Sequence, residues 1–341
     1  MKRKPINLYL SLVAVILVFC CLVLAEKYLD AYKLRILNLC AIYSILAVSM
    51  NLINGFTGQF SLGHAGFMSV GAYVTAILTL GPEQKEMIYF IEPIVPMLAK
   101  IQLPFLPALI IAGLVSAVFG LMIGVPTLRL RGDYLAIATL GFSEIIRVVF
   151  NNTVSITNGA LGLKNIPEYT NLYWSWGWTI FTIFFIKRLI NSSYGRAMMG
   201  IRDNEIAAEA MGINLFSHKV MAFLVGSFFA GVGGGLLANL ITTIDPKTFM
   251  PVLTYQILMI IVVGGLGSVS GSVITACIFA AMMEYLRPLD SYIFPVINTA
   301  LPGLRMVFFS LILLFVILFA RKGIMGGREF TWDWFLTQKK A

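Results

Sequence analysis

The stretch Phe105-Leu-Pro-Ala-Leu-Ile-Ile-Ala-Gly-Leu-Val-Ser-Ala-Val-Phe-Gly-Leu-Met-Ile-Gly-Val125 contains no charged residue. It is long enough for the roughly 20 apolar residues that a helix needs to cross about 30 Å of hydrocarbon. Working outward, similar runs recur at Leu8–Ala25, Leu34–Ile53, Phe60–Leu80, Tyr134–Phe150, Leu172–Ile190, Val220–Ile241, Val252–Gly267, Val269–Tyr285 and Leu304–Ala320. Hydrophobic residues make up 59% of the chain and charged residues 12%, against about 25% charged in a soluble domain. Mean hydropathy is +0.87. The deficit in charge is spread along the whole chain in runs separated by short polar joints, so lipid is the solvent that fits. The chain reads as an all-α integral membrane protein of about ten transmembrane helices.

The formal net charge is +9, and its placement argues against a nucleic-acid partner. Lys2, Arg3 and Lys4 precede the first run, and Arg129 and Arg131 share one joint. Lys187, Arg188, Arg196, Arg202 and Lys219 sit in or beside another, and Arg321, Lys322, Arg328, Lys339 and Lys340 follow the last run. With both termini on the cytoplasmic side, all of these fall inside, as the positive-inside rule expects. The expected organisation is a cytoplasmic N-terminus over 1–7, one membrane domain over 8–320 and a cytoplasmic tail over 321–341. The first run is followed by Glu26, Lys27 and Tyr28 rather than by a small-residue cleavage site, so it reads as a retained helix. Cys20, Cys21, Cys40 and Cys277 all lie in apolar runs and read as small hydrophobes.

Three segments depart from plain apolar helix. Asn54-Gly-Phe-Thr-Gly-Gln-Phe-Ser-Leu-Gly-His-Ala-Gly66 has too many glycines to propagate a helix, since each costs about 1 kcal/mol against alanine. It is either a connecting loop leading into a tightly packed helix, or a broken or re-entrant element beside a transport path, with Gly58, Gln59, Ser61 and His64 as the candidate residues. Asn158-Gly-Ala-Leu-Gly-Leu-Lys-Asn-Ile-Pro167 is either a turn-rich connector or part of an outer surface that meets a delivering protein. Ser193–Ser217 is the longest polar interval on the expected cytoplasmic side. In it Asp203 or Asn204 can cap a short helix, Glu205 suits the first turn, and Gly212 before Asn214 is a natural stop. Ile206, Ala210 and Ile213 fall on one side, Glu205 and Glu209 on another. That pattern fits a membrane-surface anchor or a docking helix for a cytoplasmic partner.

Glu144 and Arg147 lie in one run, three residues apart, and so share a helix face. Charges at that depth pair or face a cavity, so the two form either a self-neutralising lock or a polar contact along a path. Glu284 and Arg287 read as snorkelling at the outer interface. His64 has no Cys, Asp or second His at ligand spacing and reads as a packing residue. The glycines at 231, 233, 234 and 235, and at 264, 265, 267 and 271, read as small-residue helix faces. No phosphate-binding G-x-x-x-x-G-K-[ST] loop, H-E-x-x-H or G-x-S-x-G motif is present, so neither ATP hydrolysis by that route, nor other catalysis, nor a cofactor is implied.

The stretch Asn51-Leu-Ile-Asn-Gly-Phe-Thr-Gly-Gln-Phe-Ser-Leu-Gly-His-Ala-Gly-Phe-Met-Ser-Val-Gly-Ala-Tyr73 resembles the signature of branched-chain amino acid ABC importer permeases, of the LivM-type half. Gly132-Asp-Tyr-Leu-Ala-Ile-Ala-Thr-Leu-Gly-Phe-Ser-Glu-Ile-Ile-Arg147, Thr157-Asn-Gly-Ala-Leu-Gly162 and Gly264-Gly-Leu-Gly-Ser-Val-Ser-Gly271 match the same family in order. So do Tyr194-Gly-Arg-Ala, Ala207-Ala-Glu-Ala-Met-Gly-Ile213 and the tail Arg321-Lys-Gly-Ile-Met-Gly326. The resemblance runs from about residue 45 to 326 and implies a type II importer-like bundle in a bacterial cytoplasmic membrane. It further implies a homologous permease partner, two cytoplasmic ATP-binding subunits and a periplasmic or lipid-anchored binding protein. By similarity, residues 193–217 form the cytoplasmic coupling loop, with Arg202, Glu205, Ala208, Glu209 and Gly212 facing the ATPase. The spacing departs by one residue from the E-A-A-x-x-x-G pattern of ABC permeases.

The function so implied is passage of leucine, isoleucine or valine by alternating access, driven from outside this chain. Candidates along the path are Gly58, Gln59, Ser61, His64, Glu144 and Arg147. A urea, amide or other small-solute importer shares these motifs. An ion-coupled secondary transporter and a membrane scaffold without transport are the rivals from other classes.

Overall fold

A computed structural model describes residues 4–130, 132–288, 303–319, 323–326 and 329. Lys2, Arg3, Arg131, Arg321, Lys322, Arg328, Lys339 and Lys340, on which part of the expected charge asymmetry rests, lie outside the described residues. Among those described there is no strand, only a single antiparallel bridge between Leu163 and Ile244. The helices are α1 (Lys4–Tyr28), α2 (Ala31–Asn51), α3 (His64–Thr79), α4 (Pro82–Ile88), α5 (Pro96–Ala99), α6 (Phe105–Thr127), α7 (Asp133–Asn152) and α8 (Val154–Thr157). They continue as α9 (Leu172–Ile190), α10 (Ser193–Asp203), α11 (Glu205–Ala210), α12 (Leu215–Ile241), α13 (Pro251–Gly264), α14 (Val269–Tyr285) and α15 (Leu304–Phe319).

Every apolar run read from the sequence falls on a helix. Among the described residues, three helices are long and apolar enough to cross a membrane unbroken: α2 with its continuation to Phe56, α6 and α12. By contrast, α13 has 14 residues, about 21 Å of rise, and stops short of the hydrocarbon thickness. Several boundaries differ from the sequence reading by a few residues, and four have a structural bearing. Helix α1 already begins at Lys4 rather than Leu8, so the first joint is shorter than 1–7. Helix α3 begins at His64, not Phe60, because residues 57–63 are held off helical geometry by contacts described below. Helix α12 begins at Leu215, not Val220, because the Asn214 side chain accepts from Ser217 N and starts the helix early. Helix α13 ends at Gly264 rather than Gly267, where Gly265 turns at φ 109°.

The core is built where helices meet through small residues. Helix α12 packs along α6, α3 and α2, and α2 in turn packs along α14 and α9. A methyl group on Gly71 of α3 would lie 2.1 Å from the carbonyl oxygen of Gly231 on α12, and one on Gly234 would lie 2.0 Å from that of Met68. These are direct backbone approaches, the packing that lipid-embedded helices favour because apolar burial drives little there. Aromatic pairs fill the remaining space, Phe67 edge-on to Phe223 and Tyr73 against Phe150.

The bundle has two distinct ends. At one, Leu103 N donates to Leu78 O, Val95 N to Ser155 O, Leu163 N to Ile244 O and Ile166 N to Thr242 O, sewing the connections after α3, α7 and α12 into one cap. Glu284 here takes hydrogen bonds from Tyr32 and pairs with Arg287 at 3.6 Å. At the other end lie the last turn of α9 with Lys187 and Arg188, then α10, α11 and the turn between α13 and α14. Ile324 N donates to Val263 O there, and the Glu329 carboxylate accepts from Val269 N and Ser270 Oγ.

Candidate functional site

The site is assembled at this second end, where a broken helix meets the long polar connection. Helix α2 does not stop at Asn51 but widens into a π-helical turn, Leu52–Phe56. Such turns concentrate at functional positions because they free backbone and side-chain groups from the regular ladder. Asn51 shows what is freed. Its Nδ2 donates to Ser268 O at 2.9 Å and to Ser272 Oγ at 2.8 Å, and its Oδ1 accepts from Gly267 N at 2.9 Å. One side chain thus clamps α2 to the α13–α14 turn. Gly55 makes room for the clamp, since a Cβ there would lie 1.8 Å from Asn51 Oδ1 and 2.5 Å from Gly267 N.

Residues 57–63 then climb back into the bundle without helical bonding. Gly58 reverses the chain at φ 72°. Gln59 and Ser61 are buried, at 3% and 4% exposed. Gln59 Nε2 donates to Lys219 O, and Asn54 Nδ2 to Ser61 O. Leu62 N donates to Thr139 Oγ1 on α7, and Ala65 N to Thr254 Oγ1 on α13. His64 opens α3 with its Nε2 2.9 Å from Ser49 Oγ. The segment is therefore a discontinuous helix whose freed amides are matched by hydroxyls of two neighbouring helices, α7 and α13, as buried backbone requires. Both sequence readings of this stretch hold in part: the helix is broken, and it is tightly packed.

The polar connection folds as the two short helices α10 and α11. Ser192 caps α10 by accepting from Gly195 N, and Asn204, not Asp203, caps α11 by accepting from Ala207 N. Gly212 ends the segment at φ 79°. The side that the spacing marks with Ile206 and Ala210 faces away from the bundle. Ile206 is 78% exposed and Ala210 is exposed, while Ala208 is buried. Helix α11 is too short to carry a full amphipathic stripe, and the small Ala208 is what lets it sit close to the bundle. Ile206 and Met211 are left on the surface, with Glu209 exposed beside them.

Arg202 joins the two halves. Its Nη1 donates to Gly55 O at 3.3 Å, while Nε and Nη2 hold Asp203 Oδ1 at 2.9 and 2.8 Å. The side chain passes between glycines. A Cβ at Gly58 would lie 2.9 Å from Arg202 Cγ, and one at Gly267 would lie 3.0 Å from its Nη1. Beside it, Lys219 Nζ meets Glu205 Oε1 at 2.5 Å, with the lysine side chain 11% exposed. Lys219 so links α11 to α12, and its carbonyl links α12 to Gln59.

Of the residues singled out from the sequence, Arg202, Glu205, Gly58 and Gln59 come together in this junction, with Ala208 and Gly212 shaping it. Ser61 and His64 lie deeper along the same segment. Glu144 and Arg147 stand apart on α7, paired with one another at 2.7 Å with side chains 32% and 27% exposed. Asn51, Gly55, Thr139, Thr254 and Gly267 were missed as site residues. Asn51 and Gly267 lie inside motifs that the sequence did mark, but their pairing spans 216 positions.

A bundle of apolar helices, with a broken helix strapped to an exposed connection at one end, defines a polytopic helical membrane protein of the permease type. A family model described as branched-chain amino acid transport system / permease component matches residues 32–318, and the chain belongs to that family. It is 32% identical over 285 residues to the high-affinity branched-chain amino acid transport system permease protein LivM of Salmonella typhimurium, covering 74% of this chain and 63% of that protein. Against LivM of Escherichia coli the identity is 32% over 291 residues, covering 75% and 64%. It is also 22% identical over 209 residues to the nucleoside ABC transporter permease protein NupC of Lactococcus lactis, covering 54% and 60%. The matches thus span under two thirds of the length of the two LivM proteins. No solved structure matches the chain.

Proposed function

We propose that this chain is the membrane-spanning permease subunit of an ATP-driven importer for branched-chain amino acids, working by alternating access. The observation that carries the mechanism is the junction itself: α10 is joined through Arg202 to the broken helix, and α11, which follows it directly, is joined through Glu205–Lys219 to α12. The exposed Ile206 and Met211, with Glu209 between them, suit docking of a cytoplasmic ATP-binding subunit. When two such subunits close on ATP, the push on α11 reaches Gly55 and Gly58 through the Arg202 side chain. The bundle then moves between inward- and outward-opening states, and ATP drives it only to the extent that the partners bind the two states differently.

The assembly comprises this chain, a homologous permease subunit, two ATP-binding subunits and a periplasmic or lipid-anchored binding protein in the cytoplasmic membrane. Both termini and α11 lie on the cytoplasmic side. The solute passes close to the segment from Gly58 to His64, with the Glu144–Arg147 pair as a polar contact along the path. The names of the LivM relatives support leucine, isoleucine and valine as the solutes. The weaker likeness to the NupC permease favours a second reading, a nucleoside or other small polar solute.

The test is ATP-dependent uptake by the reconstituted complex, with leucine, isoleucine, valine, urea and a nucleoside in competition. Preference for the three aliphatic amino acids is expected, and a nucleoside or urea outcompeting leucine would overturn the substrate class. Uptake that ignores ATP but collapses with an ion gradient would overturn the reading altogether. For the coupling role, Glu205→Lys leaves Lys219 facing a like charge, and Gly212→Pro cannot adopt a positive φ. Both variants are expected to insert normally and to lose import. Normal import by both would remove α11 from the mechanism.

A further inference from the structure

At the end of the bundle opposite α11 there is a cavity of about 510 Å³, within the range of small-molecule sites. One wall is α4 and the residues after it, contributing Met87, Ile88 and Phe90. The other is the turn over residues 158–165, contributing Asn158, Leu161 and Lys164.

Both walls are fixed in place. Lys85 is buried under α4 and donates to Leu98 O at 2.8 Å and Ile101 O at 2.6 Å. The Tyr89 hydroxyl donates to Ile156 O. The turn is pinned to residues 242–244 by the Leu163–Ile244 pair, bonded at 2.9 Å in each direction.

Within this frame one polar atom is left over. Asn158 is 4% exposed, and its Nδ2 donates to Gly162 O at 2.9 Å. A carbonyl can only accept, so the amide nitrogen must face Gly162 and the Oδ1 is set by default. That Oδ1 is buried without a hydrogen-bond partner. A buried acceptor left unsatisfied is unfavourable, and a charged donor compensates best. Lys164 is exposed at the same cavity and belongs to no ion pair among the described residues.

The cavity is thus lined by the residue that carries the unpartnered acceptor, by a lysine outside any ion pair among the described residues, and between them by the aliphatic and aromatic surface of Met87, Ile88, Phe90 and Leu161. We propose that it is an entry site for a zwitterionic aliphatic amino acid. The α-ammonium donates to Asn158 Oδ1, the carboxylate faces Lys164, and the side chain lies on the apolar wall. This rests on the transport reading and deepens it. The permease holds the solute at its delivery face before passage, rather than leaving recognition wholly to the binding protein.

The test uses the full permease–ATPase complex in nanodiscs, without binding protein, and equilibrium dialysis against radiolabelled leucine. Competitors are isoamylamine, which lacks the carboxylate, and 4-methylpentanoate, which lacks the ammonium. Saturable leucine binding is expected, with each competitor at least about tenfold weaker than leucine. Lys164→Gln, a change on an exposed side chain, is expected to weaken leucine about tenfold and to abolish the preference for leucine over isoamylamine. Asn158→Gly, which keeps the left-handed backbone, is expected to weaken leucine and 4-methylpentanoate unequally, erasing the ammonium preference. If leucine binding is absent, or unchanged in both variants, while ATP-driven leucine uptake with binding protein is intact, the entry site is overturned and the transport reading stands. If the variants bind leucine normally but lose affinity for the binding protein, the cavity is a docking socket and the proposal also falls. No leucine uptake by the wild-type complex would overturn the transport reading, and the solute assigned here with it.

Discussion

Replacing Gly58 with alanine adds one methyl group where the broken helix passes Arg202. Two costs arise, and both can be sized. The backbone there is at φ 72°, and an L-residue in the left-handed region costs about 1–2 kcal/mol. The new Cβ would lie 2.9 Å from Arg202 Cγ and 3.1 Å from Arg202 Cα and Cβ. The Cγ can swing aside, but the Cα belongs to α10, so the helix itself must retreat by a few tenths of an ångström. Overpacking of that kind costs about 1–3 kcal/mol. Together the penalty is about 2–5 kcal/mol, larger than the 1.4 kcal/mol that shifts an equilibrium tenfold. Retreat of α10 breaks first the Arg202–Gly55 bond, already at 3.3 Å. Expected, then, is import reduced at least about tenfold, with the complex assembled and ATP still turned over. The assay is leucine uptake into proteoliposomes alongside ATP hydrolysis, reported as solute moved per ATP. Gly200→Ala on the same helix is the control, because a methyl there meets nothing within 4 Å. If Gly58→Ala moves as much solute per ATP as wild type, Arg202 does not transmit the motion of α11.

Three further outcomes follow from the packing and the charge. Gly71→Ala forces a methyl group to 2.1 Å from Gly231 O, so α3 and α12 must part; a loss of about 1–3 kcal/mol is expected, read as a lowered thermal midpoint in detergent. Asn51→Leu leaves Gly267 N without the acceptor it now has, at about 1–3 kcal/mol, while Ser268 O keeps Ser272 Oγ; a denaturant titration that leaves stability unchanged would argue against the clamp. Burial lowers the Lys85 pKa below its ordinary value. The unfolded chain then holds its proton more tightly, so stability rises with pH across the interval between the folded value and 10.5. A thermal midpoint that climbs over that alkaline interval in wild type, and less so in Lys85→Met, is the expected result.

Much of this architecture is legible along the chain because lipid enforces a one-dimensional rule: each crossing must be a long apolar run. The runs at Leu172–Ile190 and Val269–Tyr285 coincide with α9 and α14 to the residue, and the stop at Gly212 follows from glycine's tolerance of positive φ. The break at residues 57–63 was visible as a glycine excess, although composition could not say whether it was loop or interrupted helix. The small helices α4, α5 and α8 carried no periodic signal at their length and went unread.

What the chain alone could not disclose is which distant groups meet. Arg202 and Gly55 are 147 positions apart, Asn51 and Ser272 221, and no local propensity encodes either contact. Nor could spacing say which side of α11 packs: Ile206 and Ala210 share a side that is exposed, and Ala208 is the residue buried against the bundle. Apolar patterning and charge placement thus determine that the protein lives in a membrane and where its helices run. The junction around Arg202, and the cavity beside Asn158, exist only once the helices have packed, because each is assembled from segments far apart in the chain.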